Sequence, residues 1–104
     1  MGFNQYHEPP QELGEETRTL ARMFASLTEE SEAINWYQQR LSVEKDNDAK
    51  TIMEDAQGEE FKHFGMDLEF LLRKIPKWKE TLQPILFKDG DIVKLGKKGE
   101  KKSD

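Results

Sequence analysis

The sequence predicts an all-α protein: an antiparallel two-helix hairpin plus a short C-terminal helix, which pairs with a second copy to form a four-helix bundle. Apolar residues recur every seven positions along the first half of the chain. A second stretch shows steps of four and three, which also indicate a helix packed lengthwise against others. Of 104 residues, only 35% are hydrophobic, so a single chain is expected to bury too little apolar surface by itself.

Composition narrows the classes of partner. The formal net charge is −5, and phosphate binding needs a basic surface, so nucleic acid is not an expected partner. Cysteine is absent, which excludes disulfides and thiolate metal sites. No apolar run approaches the roughly 20 residues of a membrane-spanning helix, and no signal peptide is visible. The expected location is the cytoplasm.

The chain is predicted to divide into three segments. Residues 1–10 are expected to form an extended arm that ends in Pro9 and Pro10, since proline does not fit inside a helix. A helical domain is predicted over residues 11–90. A flexible tail rich in lysine is predicted over residues 91–104.

Helix 1 is predicted to run from about Pro10 to about Leu41. Glu30 lies in its packing stripe at a position where an apolar side chain is expected. A carboxylate buried there without a partner costs several kcal/mol, so it must be protonated, paired or bound to a metal. The apolar residues of the stripe that recur every seven positions are Leu13, Leu20, Leu27, Ile34 and Leu41.

Helix 2 is predicted over about residues 48–74. The polar turn at residues 42–48 is short, which makes the two helices antiparallel. Glu60 and His63 replace apolar residues in the stripe of helix 2, and they are one turn apart on the same face. Glu30 lies about as far before the turn as Glu60 lies after it. The three side chains are therefore expected at one level of the hairpin.

Three further features lie in the second half of the chain. Asp67 continues the helix 2 stripe, and we interpret it as a polar residue near the end of the bundle rather than as part of a site. Pro76 is expected to end or kink helix 2. A third, shorter helical segment is predicted over residues 78–87.

One chain supplies half of a two-metal site. Four-helix di-iron carboxylate proteins use two separate glutamates and two Glu-x-x-His pairs, whereas this chain has one glutamate, Glu30, and one pair, Glu60 with His63. Two copies related by a two-fold axis would supply the whole set. Carboxylate and imidazole ligands suit iron, manganese and zinc. Tyr37, on the stripe of Glu30, is a candidate to hydrogen-bond a ligand carboxylate.

A second group lies beside the stripe of helix 1. Glu29, Glu32 and Trp36 are spaced by three and four residues, so they share one helix face. The functional interpretation is an outer cation site where Fe(II) pauses on its way to the centre. The alternative is an ordinary acidic helix face.

Several segments resemble the encapsulated ferritins. The sequence EESEAINWY at residues 29–37 resembles the signature of that family, and Glu60-x-x-His63 resembles its second-helix motif. Later landmarks of the family are similar to residues 68–73 and 86–87, and residues 7–9 resemble its N-terminal arm.

The resemblance covers about residues 7–90 and implies a ferritin-like fold with a di-iron ferroxidase centre at a dimer interface. Glu30, Glu60 and His63 match the ligand positions of that centre. The cofactor that it implies is a pair of iron ions. Members of the family oxidise Fe(II) to Fe(III) with O2.

The resemblance also implies the surroundings of that centre. Glu29 and Glu32 match an outer metal site, and Trp36 matches the aromatic residue beside it. The family assembles as an open ring of dimers, a decamer, and works inside an encapsulin shell to which a C-terminal peptide delivers it. Whether residues 91–104 act as such a peptide stays open, because Asp-Ile-Val-Lys-Leu-Gly replaces the usual Gly-Ser-Leu-like segment.

Two other functions stay open at this point. One is a metal-free helical assembly or adaptor module, in which the stripe carboxylates set the register of pairing. The other is a di-iron or di-manganese oxidoreductase that uses peroxide or another substrate. Fe(II)-dependent consumption of O2 would distinguish a ferroxidase from the metal-free adaptor. A test of peroxide as the oxidant would distinguish a ferroxidase from the peroxide-using enzyme.

Overall fold

A computed structural model describes residues 5–104, which contain four α-helices, one short 3-10 helix and no β-strand. The prediction of an all-α fold is confirmed. The first four residues of the predicted N-terminal arm lie outside the described residues. The helices are a 3-10 helix at Pro10–Glu12, α1 at Glu15–Val43, α2 at Asn47–Lys74, α3 at Pro76–Leu82 and α4 at Ile92–Ser103.

The start of α1 is later than predicted. Leu13 adopts an extended backbone conformation, with φ −90° and ψ 138°, and separates the 3-10 helix from α1. Gly14 precedes α1 without a side chain to cap it. The guanidinium of Arg18 instead donates to the carbonyl oxygen of Pro10 from Nε, at 2.9 Å, and from Nη2. This contact holds the preceding turn against the first turn of α1.

The turn between α1 and α2 is shorter than predicted and satisfies its own polar groups. The Glu44 carboxylate accepts hydrogen bonds from the backbone N–H groups of Lys45 and Asp46, at 3.2 and 3.1 Å. Asp46 then caps α2, because its Oδ1 accepts from the N–H of Ala49 at 2.9 Å. Helix α2 therefore begins at Asn47 with a side-chain cap already in place.

Helices α1 and α2 form the predicted antiparallel hairpin. The Gln57 amide of α2 donates to the Ile34 carbonyl oxygen at 3.2 Å and to Gln38 Oε1 at 3.0 Å. Further along α2, His63 lies beside Glu30, which precedes Ile34 in α1. Contacting residues thus come later in α2 as they come earlier in α1, so the two helices are antiparallel.

Two compact units make up the chain, one ending at Leu68 and the other spanning Glu69–Asp104. Among the described residues of the first unit, the side chains classed as buried are polar: Gln57 at 7% exposure and Asp67 at 9%. As far as its residues are described, this first unit therefore encloses no fully buried apolar side chain. Large apolar side chains of this unit that remain exposed are Phe24, Trp36, Val43, Ile52, Phe61 and Met66.

The second unit contains the last turn of α2, then α3 and α4. Leu71 and Leu72 are buried in it. Helix α3 starts at Pro76 and ends at Leu82, so the predicted third segment is shifted and shorter than residues 78–87. Pro84 follows directly and does not extend a helix, because it has no N–H to donate.

The C-terminal residues differ from the predicted flexible tail, because they form α4. The Asp91 side chain caps this helix by accepting from the N–H of Lys94 at 2.9 Å. Gly99 is buried against α3, where a Cβ would collide with the carbonyl oxygen of Thr81. The absence of a side chain lets the two helix backbones approach closely. None of the described helices is long and apolar enough to cross a membrane.

Candidate metal centre

Three side chains of the hairpin converge on one point. Each of Glu30, Glu60 and His63 offers one ligand atom, and these atoms lie within 4.8 Å of one another. Glu30 comes from α1, while Glu60 and His63 come from α2. Among residues 5–104, no other group of three or more acidic, histidine or cysteine side chains converges in this way. The structure thus brings together the three residues that the sequence selected as central ligands.

The α2 side of the cluster is open. Glu60 Oε1 lies 3.7 Å from His63 Nδ1, too far for a hydrogen bond. The Glu60 side chain is 28% exposed and the His63 side chain 47% exposed. Both ligand-type groups are therefore reachable from outside the hairpin and are not held by each other.

Glu30 occupies a more enclosed position. Its Oε1 atom is buried and has no hydrogen-bond partner. Burial raises the pKa of the Glu30 carboxyl to about 7, with further contributions from the neighbouring carboxyl of Asp67 and the negative charge of Glu60. A buried carboxylate without a partner is costly. It is therefore expected to bind a proton or a cation, since either one neutralises its charge.

Asp67 adjoins this position, although its place in the stripe predicts only a polar residue near the end of the bundle. Its side chain is only 9% exposed, and its Oδ2 atom is buried without a hydrogen-bond partner. The available signal was its spacing, since it follows His63 by four residues and therefore lies on the same face of α2. A polar residue at the solvated end of a bundle would not be expected to be buried.

Glu29, Glu32 and Trp36 lie outside the central cluster. Glu29 and Glu32 are exposed on α1, and no third described ligand joins them. Trp36 is 51% exposed and forms a shallow depression with Gln39 and Arg40. The predicted outer group is thus a solvent-facing surface.

Tyr37 does not make the predicted contact with a ligand carboxylate. Its ring is half-buried, with the Arg40 guanidinium 5.2 Å from the ring centroid. Within the described residues, its hydroxyl forms no hydrogen bond to Glu30, Glu60 or His63.

The central cluster fits a divalent transition-metal ion. Two carboxylates and one imidazole are ligands that iron, manganese and zinc accept. The unpartnered Glu30 oxygen supplies an acceptor that nothing else in the described structure satisfies. A metal ion bound by these three ligands would still have coordination positions open to water, to O2 or to ligands from a second chain.

A helical hairpin with a glutamate on one helix and Glu-x-x-His on the other carries half of the ligand arrangement of ferritin-like di-metal proteins. Comparison with known proteins identifies the family. The EncFtn-like family profile matches residues 5–89. The chain therefore belongs to the EncFtn-like family, the encapsulated ferritins, and is an iron-related, ferritin-like protein.

Similar proteins cover most of the chain. A "Ferritin-like protein" of Thermotoga maritima is 42% identical over 92 residues, which are 88% of this chain and 81% of that protein. An "Encapsulated ferritin-like protein" of Rhodospirillum rubrum is 39% identical over 92 residues, or 88% of this chain and 66% of that protein. The crystal structure of protein ne0167 from Nitrosomonas europaea superposes with a TM-score of 0.81 at 39% identity, covering 86% of this chain and 99% of that one.

Proposed function

We propose that this protein is a ferroxidase, which oxidises Fe(II) to Fe(III) with O2 at a two-iron centre formed between two copies of the chain. The observation that carries the proposal is the convergence of the Glu30, Glu60 and His63 ligand atoms within 4.8 Å. Membership of a ferritin-like family supports iron as the metal.

A two-fold pairing of chains completes the proposed centre. Two-iron sites in four-helix bundles use two separate glutamates and two Glu-x-x-His pairs, twice what one chain offers. The half-open positions of Glu60 and His63 leave room for ligands from a partner. The exposed apolar side chains of the hairpin also favour pairing, since burying them supplies the hydrophobic stabilisation that one copy lacks.

The ligand set suits the proposed oxidation of iron. Two Fe(II) substrate ions each lose one electron, and O2 takes up both electrons with two protons to give hydrogen peroxide. Glu30 and Glu60 supply negative charge, which stabilises Fe(III) more than Fe(II). Glu30 releases its proton when it binds a cation, so binding and proton release are coupled. His63 contributes a neutral imidazole nitrogen.

Glu29, Glu32 and Trp36 form the proposed outer site. Their exposed position on α1 gives a hydrated cation access to two carboxylates without any desolvation of the central cluster. In this proposal, Fe(II) is held there weakly before it moves inward. Replacement of these residues would change the rate of oxidation and leave the central site able to bind iron.

The proposed assembly is a ring of dimers that works within an encapsulin compartment in the cytoplasm, for iron storage or detoxification. The description of the Rhodospirillum rubrum relative as an encapsulated protein supports this setting. A decamer is the size that the family resemblance implies.

Oxygen uptake with a matched pair of variants tests the proposed activity. Fe(II) added to the wild-type protein should cause rapid O2 consumption, and Glu60→Gln should reduce it to the rate of iron in buffer. Glu59→Gln is the control, because Glu59 is exposed and ion-paired with Lys62 at 2.9 Å. Equal rates in all three proteins would contradict the ferroxidase proposal. Faster oxidation with peroxide than with O2 would favour a peroxide-using enzyme instead.

A further inference from the structure

We propose that Asp67 is an additional cation-binding carboxylate of the centre, so that a divalent ion held by Glu30 is also held by Asp67. The proposal rests on the proposed function, because it concerns the same centre. It extends the predicted three-ligand set of Glu30, Glu60 and His63, which does not include Asp67.

The burial of Asp67 is the first observation. Its side chain is 9% exposed, and Oδ2 is buried without a hydrogen-bond partner. Aspartate is almost never buried to this extent unless it is paired or coordinates a metal. Among the described residues, no cationic side chain forms an ion pair with it. The side chain therefore requires a partner that the described residues of one chain do not supply.

The position of Asp67 beside Glu30 is the second observation. The Asp67 carboxyl group neighbours that of Glu30 closely enough to help raise the pKa of Glu30, and two ionised carboxylates have no donor to offer each other. Each group also has a buried oxygen without a partner, Glu30 Oε1 and Asp67 Oδ2. A divalent cation between the two groups would give both of these buried oxygens a partner.

The placement of Asp67 along α2 is the third observation. Glu60, His63 and Asp67 follow one another at steps of three and four, so all three lie on the face directed at α1. Asp67 is not within 4.8 Å of the whole Glu30, Glu60 and His63 group. It therefore extends the centre beyond that group, and Glu30 is the carboxylate that neighbours both parts.

Binding of Co(II) tests this proposal without any oxidation of the metal. Asp67→Asn keeps the shape of the side chain and removes its charge, and we expect it to weaken Co(II) binding about 10- to 100-fold. The visible spectrum of the Co(II)-saturated protein should also change, because it reports the ligands around the ion. Asp67→Glu restores a carboxylate and should recover part of the affinity.

The controls separate the role of Asp67 from the proposed function. Asp55→Asn makes the same chemical change at an exposed position of α2 and should bind Co(II) like the wild-type protein. Circular dichroism and urea unfolding of the metal-free Asp67→Asn protein should match the wild type, because asparagine keeps the shape of the buried side chain. Wild-type affinity and spectrum in Asp67→Asn would overturn the proposal and leave the ferroxidase intact. Absence of Co(II) binding by the wild-type protein would overturn both.

Discussion

At the scale of single residues, Glu30 combines two requirements that oppose each other. Burial disfavours its ionised form, while cation binding requires that form. The resulting pKa of about 7 places the proton and a metal ion in competition near neutral pH. A leucine in this position of the stripe would pack the hairpin more simply. The carboxyl group therefore makes sense as a ligand rather than as a packing residue.

This raised pKa predicts how the stability of the metal-free protein depends on pH. The pKa of Glu30 rises from its ordinary 4.5 to about 7 on folding, so between these values the folded state holds a proton that the unfolded state has lost. The contribution of Glu30 to the free energy of unfolding should be greatest below pH 4.5, fall as pH rises to about 7, and then stay level.

Urea unfolding at several pH values checks this prediction. Glu30→Gln should remove that decline and so gain stability relative to the wild type as pH rises. Glu29→Gln changes an exposed neighbour and should keep the wild-type dependence. A wild type and a Glu30→Gln variant with parallel pH profiles would show that Glu30 is not buried in its protonated form.

At the scale of helices, α4 depends on a close backbone contact. Gly99 faces the carbonyl oxygen of Thr81 in α3, and a Cβ at this position has no room. Gly96, three residues earlier in the same helix, has nothing within 4 Å of the corresponding Cβ position. The two glycines therefore have different roles although both lie in a lysine-rich segment. One permits packing, and the other only lowers helix propensity.

Alanine substitutions separate these two roles. Gly99→Ala forces α4 away from α3 and should cost about 1–3 kcal/mol, seen as faster hydrogen exchange of the α4 amides. Gly96→Ala should leave exchange unchanged or slow it, since alanine favours the helix by about 1 kcal/mol. Faster exchange in both variants, or in neither, would contradict the role assigned to the Gly99 contact.

Helices marked by a regular pattern of side chains could be predicted from the sequence, whereas a helix packed through a glycine could not. Helix α2 was predicted at about 48–74 and lies at Asn47–Lys74, because its steps of three and four are uninterrupted and Asp46 caps it. Helix α4 was missed, because its sequence is rich in lysine and its close contact with α3 is made at a glycine, which carries no apolar signal. A flexible tail was the natural expectation for its composition.

The candidate metal centre was likewise predictable only in part. The convergence of Glu30, Glu60 and His63 followed from stripe phase and equal distance from the turn, which the sequence contains. The burial of Asp67 did not follow, since it depends on how closely α1 covers that part of α2. Periodicity places a residue on a face, and it does not tell how deeply that face is covered.

At the scale of the whole molecule, the hairpin lacks what an independent bundle needs. Up to Leu68, the buried side chains among its described residues are Gln57 and Asp67, and large apolar groups remain exposed. A two-helix unit of this kind gains stability by pairing with a second copy. The same pairing would complete the metal ligands, so assembly and metal binding are expected to stabilise each other.

Native mass spectrometry of the protein loaded anaerobically with Fe(II) tests this central claim most directly. We predict dimers or multiples of dimers that carry about one iron ion per chain. Dilution of the metal-free protein should yield more monomer than dilution of the loaded protein. Iron that stays bound to monomers at saturation would contradict a centre shared between two chains. Binding no greater than that of Glu60→Gln would contradict the metal centre itself.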